Sequence, residues 1–290
     1  VAVAGSPAYE PNNTSPFSAS VAAPAAGRLI SGTVYEDVDG DGSVVDPGTN
    51  RAAGVQVYLY RDDGDNQLGA GDTFVGGAVT DASGNYALAS SAARHWVVVD
   101  SKTIAPGAGY VSGFDLGDVW AEQTYASANA ANNAAGTTFT AGAGVLYGGR
   151  AVATADNASA LTSAEHVIRA DATGGNVAGV EFGFSFSAIV DTRGDNNDFD
   201  AAANRKQQGT LRQFIRNSNA IAGVQTSNFS INYPAGGVQT ITLSGATYDQ
   251  AIGEGINDAV VLDCTTQEGY DITTPRPMIV LNGNGLAGDG

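Results

Sequence analysis

Apolar and polar residues alternate in short runs along the first two-thirds of the chain, broken by clusters of Gly, Asp and Asn. Ile30 to Tyr35 and Val55 to Tyr60 read as strands, because successive side chains of a strand point to opposite faces. His95 to Val99 is apolar throughout and reads as a buried strand, with a turn at Ser83 to Tyr86 before it. VWAEQTY, GVLYGGR and GVEFGFSFS predict further strands around an Ala/Asn/Gly-rich loop near 126–144. In Val180 to Phe186 the alternation puts the three phenylalanines on one face, as in the closing strand of a sandwich. Residues 29–188 are expected to form one elaborated β-sandwich.

The pattern changes after the acidic stretch DTRGDNNDFDAAANRK. In GTLRQFIRNSNAIAG, Leu211, Phe214, Ile215 and Ile221 recur near helical spacing, with Thr210 as the N-cap and Gly223 as the stop. Short strands are then expected at Asn228 to Tyr233, Gln239 to Leu243, Ala259 to Leu262 and Met278 to Leu281. Segments of about five residues alternating with turns are the rhythm of a parallel β-helix. The expected division is an N-terminal arm (1–28), the sandwich (29–188), an acidic linker (189–208) and the start of a β-helix (209–290), with separate cores.

Two of the strands lead straight into acidic, glycine-punctuated loops. The first sets Asp37, Asp39 and Asp41 at alternate positions, then Gly42, Ser43 and Asp46; the second carries Asp63, Asp65, Gln67 and Asp72. Oxygen ligands at positions 1, 3 and 5 with glycine at 6 wrap a hard cation. Ca²⁺ suits this chemistry, since no Cys or His lies near to favour zinc or copper. The backbone carbonyl of Ser43 and the side chain of Gln67 would complete the two shells. Asp195, Asn197 and Asp200 form a third candidate group. The bidentate Glu of an EF-hand is missing, for its position is Gly48, and Asp/Gly/Asn loops are also good turns without metal.

The phrases GTVYEDVDGDG, AGVQVYLYRDDGDNQLGAGDTF and TDASGNYAL resemble the B-type repeats of bacterial surface adhesins, the SdrD-like or Cna-B-like fold. The resemblance implies a small prealbumin-like or immunoglobulin-like sandwich, stiffened by calcium loops, acting as a stalk or spacer outside the cell. Many such repeats carry an internal Lys–Asn isopeptide bond. No lysine precedes Lys102, so the first strands cannot supply one, and calcium is left as the expected staple. GTLRQFIRNSNA resembles the SLRQAI-type helix that opens bacterial right-handed parallel β-helices, and TITLSG and VVLDCTTQEGY resemble first rungs. The fold class expected is therefore all-β: a calcium-stapled sandwich followed by a capping helix and the first β-helix rungs.

Thirteen Lys and Arg against thirty Asp and Glu give a formal charge of −17. Phosphates would be repelled, which argues against nucleic acid and anionic membrane surfaces. No apolar run is long enough to span a bilayer. Cys264 stands alone, so no intrachain disulfide is possible; it reads as a buried bystander. Together with the adhesin resemblance, a need for calcium points to an extracellular, cell-surface location after removal of a signal peptide.

No catalytic constellation stands out, and the chain reads as a non-enzyme. His95 and His166 lie outside any nucleophile–base setting, and Asp263 and Glu268 flank one turn in a chain rich in acids. The leading expectation is a structural or adhesive surface protein that self-assembles through its N-terminal arm and exposed β edges, as a filament or surface-layer subunit. The alternatives are a carbohydrate- or partner-binding module, with Trp96 and Trp120 as platform candidates, and the N-terminal part of a β-helix enzyme acting on polysaccharides.

Overall fold

Nine strands build two facing sheets: β1 (Arg28–Glu36), β2 (Asn50–Arg51), β3 (Gln56–Arg61), β4 (Thr73–Val79), β5 (Asn85–Ser90), β6 (Arg94–Val99), β7 (Glu122–Ala126), β8 (Val167–Asp171) and β9 (Phe182–Ser185). They belong to a computed structural model that describes residues 27–43, 50–127, 147–150, 158–190, 209–233, 235–245 and 255–286. One sheet runs β2-β1-β9-β7, with β5 also paired to β1; the other runs β4-β3-β6-β8. Pairing is antiparallel except between β1 and β9, which are parallel. The protein is an all-β sandwich with one α-helix among the described residues.

The core lies between the sheets. Ile30 and Val34 of β1 and Phe182 and Phe184 of β9 pack with Val57 and Leu59 of β3 and Val97 and Val99 of β6. Phe186 joins them, so the aromatic alternation of the last run does face inward. The apolar run of β6 has a separate cause. Trp96 and Val98 point to the outer face of the second sheet, where Leu68, Leu161 and Ala164 cover them. A strand buried on both faces loses its alternation.

Close backbone approach fixes the first sheet. Tyr86 donates its hydroxyl to the Val180 carbonyl at 2.6 Å, and a Cβ at Gly32 would lie 1.6 Å from that same oxygen. Any side chain at position 32 would force the Val180 segment off β1.

Beyond the sandwich come β10 (Ala188–Ile189), α1 (Leu211–Ala220), β11 (Gln225–Thr226), β12 (Asn228–Phe229), β13 (Gln239–Gly245), β14 (Val260–Val261) and β15 (Ile279–Leu286). Their pairs are all parallel: β10 with β12, β11 with β14, β13 with β15. A second apolar cluster gathers Ile189, Leu211, Phe214, Ile215, Phe229 and Ile241. Thr210 caps α1, its hydroxyl accepting the Gln213 N–H at 3.2 Å.

Several sequence expectations shift. Residues 147–150 form turns rather than the end of a strand. The strand expected to reach Tyr233 stops at Phe229, because Asn232 turns the chain with φ of 59°. The helix ends before Gly223: Ile221 is already extended, held by an antiparallel bridge to Tyr110. The end of α1 and the residue after it also cross the expected boundary. Ala220 and Ile221 belong to the sandwich core, and Ala220 accepts the Val111 N–H at 2.8 Å. The arm before residue 27 and the segment 191–208 lie outside the described residues. Among the described residues no helix is long and apolar enough to cross a membrane.

Candidate metal centre

The first acidic loop begins where β1 leaves the sheet. Asp37 donates its N–H to the Phe184 carbonyl at 2.7 Å, which draws it into the interior at 1 % exposure. Its carboxylate accepts the N–H groups of Gly40 and Gly42, each at 2.9 Å, and the Thr124 hydroxyl at 2.5 Å. Both glycines have φ above 70°, so the loop can wind its amides back onto Asp37. Burial pushes the Asp37 carboxyl up to about 7. The Thr124 and Gly42 bonds pull it down, and neighbouring Asp39 raises it further. Asp37, Asp39 and Asp41 bring carboxylate oxygens within 4.8 Å of one another, the last two exposed. Ser43 sits at the loop's far end, its N–H donated to Asp41 at 2.7 Å.

The second loop begins where β3 ends and gathers a partly different set. Asp62, Asp63 and Asp72 converge to within 4.8 Å. Asp62 is 6 % exposed; its Oδ1 accepts the N–H groups of Gly64 at 2.6 Å and Asn66 at 3.2 Å. Its Oδ2 is buried with no hydrogen-bond partner. Asp72 reaches back across the loop, accepting from Asp63 N–H at 3.1 Å and Gly69 N–H at 2.8 Å. Desolvation, with the charges of Asp62 and Asp63 adding to it, holds the Asp72 carboxyl above its ordinary value against the pull of those two bonds. Two anchors hold the loop to the sandwich: buried Leu68, and the Arg169 guanidinium donating to the Asn66 amide oxygen at 2.6 Å.

Of the residues expected in that loop, Asp63 and Asp72 come together, whereas Asp65 is not among the clustered carboxylates. The Asp65 carboxylate instead accepts the Gln67 N–H at 2.7 Å and shapes the turn. Asp62 was missed by spacing within the loop. Alignment of the two strand ends would have found it, since Tyr35-Glu36-Asp37 and Tyr60-Arg61-Asp62 hold matching places. Asp46, Asp195, Asn197 and Asp200 lie outside the described residues.

Among the described residues no ion pair joins any of the six clustered carboxylates to a Lys or Arg; Arg94 pairs instead with Asp171, at 3.4 Å. Anions gathered in the absence of basic partners repel one another, so the donor set fits a hard divalent cation. Asp62 Oδ2 bears on that fit most directly. A buried carboxylate oxygen without a donor costs free energy that a cation would recover.

The other candidates settle elsewhere. Trp96 and Trp120 are buried at 0 % and 1 % exposure, so neither offers a platform to a ligand. His95 faces the Ala93 carbonyl through Nδ1 at 3.0 Å, and burial lowers its pKa, leaving it neutral. His166 packs edge-on against Phe184 with ring centroids 4.9 Å apart. Asp263 caps the short turn at Cys264–Thr266 by accepting the Thr265 N–H at 2.9 Å. Cys264 is half-buried, with burial and then Asp263 raising its thiol pKa.

No protein-family model matches the sequence, and no curated protein does. Among solved structures the chain is similar to the shaft pilin SpaA from Lactobacillus rhamnosus GG, at 13% identity and a TM-score of 0.26, over 55% of this chain and 51% of the pilin. A point mutant of the same pilin matches at 15% identity and a TM-score of 0.23, over 29% of this chain and 41% of the pilin. The Bacillus anthracis TIE protein matches at 11% identity and a TM-score of 0.18, over 54% of this chain and 33% of that protein. The chain thus spans about half the length of the pilins it matches. At TM-scores this low the likeness carries no weight for function.

Proposed function

We propose that this chain is a non-enzymatic structural module of an extracellular surface, a β-sandwich stapled by calcium at the ends of β1 and β3. The observation that carries the reading is the pair of carboxylate clusters. Each starts from a buried aspartate at a strand end, and one retains a buried oxygen with no protein donor. Calcium would supply positive charge that cross-links each loop to itself; Asp37, Asp39 and Asp41 would hold it in one, and Asp62, Asp63 and Asp72 in the other. Extracellular modules bind calcium at roughly 10⁻⁴–10⁻³ M, which matches sites of three carboxylates on short loops.

The parallel pairs β10–β12, β11–β14 and β13–β15 support reading the last part of the chain as the first rungs of a β-helix. Phe74 and Val79 on edge strand β4, and Val280 and Leu281 on β15, are exposed and would suit end-to-end assembly through β edges. The residues ahead of β1, 1–27, would add a strand to the next subunit. Deleting them should abolish polymers in electron micrographs; unchanged assembly rules out the strand-donor role. Calorimetric titration of the chelated chain tests the metal reading. Heat of binding should be lost one site at a time in Asp37→Asn and Asp62→Asn, and absence of heat in the unsubstituted chain rejects it.

A further inference from the structure

A groove runs along the junction between the first acidic loop and the parallel-paired strands. Two clefts of about 430 and 410 Å³ meet in it and share Asp41, Asn228 and Thr266. Asn228 and Ser230 are buried at its floor, joined by a 2.8 Å bond from the Ser230 hydroxyl to the Asn228 amide oxygen, which leaves the amide nitrogen as a donor. Tyr233 stands 41 % exposed on the rim, steadied by the edge of Tyr147 with ring centroids 4.8 Å apart.

We infer that this groove binds a neutral oligosaccharide. Carboxylates line both clefts, Glu268 and Asp41 in one and Asp39, Asp41 and Asp263 in the other, and among the described residues no Lys or Arg does, so phosphorylated, sulfated and uronic ligands are repelled. Backbone donors along the floor are already used. The N–H groups of Ser227, Asn228 and Ser230 donate to Val261, Ser187 and Ile189 at 2.8–2.9 Å. A peptide therefore finds no free edge to join as a strand. What remains is an amide, hydroxyls, carboxylate acceptors and a tyrosine face, the groups that meet sugar hydroxyls and the apolar face of a pyranose. The inference goes beyond the metal reading: Asp39 and Asp41 of the first acid cluster border the groove, but the positions that test it, Tyr233 and Glu268, belong to neither cluster.

The test is titration of the full chain in calcium buffer with cello-, malto-, manno-, xylo- and chito-oligosaccharides and with oligolysine, followed by ligand-observed NMR. At least one oligosaccharide should bind with a Kd of about 1 mM or tighter, and Tyr233→Ala should weaken it about tenfold. Glu268→Gln should weaken the same ligand, and both exposed positions leave the core intact. The inference is overturned if no oligosaccharide binds, if binding ignores both substitutions, or if oligolysine alone binds. A failure of the metal reading would appear separately, as melting indifferent to calcium.

Discussion

Asn217 of α1 closes a ring with the backbone of Trp120, accepting its N–H at 2.9 Å and donating to its carbonyl at 2.8 Å. The same amide donates to the Phe186 carbonyl at 2.8 Å and accepts from Gln213 at 2.9 Å, so both of its polar atoms are fully used. One helical side chain thus ties the sandwich to the strands that follow it. Asn217→Ala would leave buried backbone groups of Trp120 and Phe186 without partners. Urea unfolding should show a loss of about 2–4 kcal/mol.

Gly32→Ala should be at least as damaging. The added methyl cannot coexist with the Val180 carbonyl, so β1 or the Val180 segment must move and the Tyr86 hydroxyl bond goes with it. The expected outcome is a thermal transition lowered by several degrees, on the order of 2 kcal/mol or more. Gly54→Ala serves as the contrast, with φ of 79° but open space around it, and should cost only about 1 kcal/mol.

Asp62→Asn should act in opposite directions with and without metal. In calcium the variant loses a ligand and its melting temperature falls below that of the unsubstituted chain. In chelator it removes a buried charge whose Oδ2 has no donor, so its melting temperature should equal or exceed the unsubstituted value. A variant destabilised equally in both buffers would reduce Asp62 to a turn residue.

Much of this was legible in the sequence, and the misses have physical causes. The runs that became β1, β3, β6 and β9 were visible because sandwich strands alternate or are wholly apolar, and Thr210 announced α1 as a cap. β8 was hidden in AEHVIRA, where a buried histidine and an arginine broke the apolar signal; His166 is tolerated because it packs on Phe184. Asp37, Asp39 and Asp41 were legible because one short loop carries all three. Spacing within the loop passed over Asp62, which only the match of Tyr60-Arg61-Asp62 to Tyr35-Glu36-Asp37 points to; its convergence with Asp72 depends on the loop folding back through Gly69 and Leu68. The groove was invisible for the same reason: Tyr147 and Tyr233 meet only through the tertiary fold.

Proton and calcium should compete at Asp37. Its folded pKa, about 7, lies above the 3.8 of a free aspartate, so the metal-free folded state holds a proton that the unfolded chain releases. This group's effect is absent below pH 3.8 and destabilises the metal-free fold progressively up to about pH 7, by at most ~1.4 kcal/mol per pH unit. Calcium affinity at the first loop should run the other way, falling up to tenfold per pH unit below 7. Titrations at pH 6 and pH 8 check the sign. Equal affinity at both would remove Asp37 from the site.

Scanning calorimetry of the chain in chelator and in about 10 mM calcium tests the staple most directly. That concentration is about ten to a hundred times Kd, where each site adds about 1.4–2.7 kcal/mol, so two sites should raise the transition by roughly 5 °C or more. Superimposable transitions in the two buffers would contradict the calcium staple.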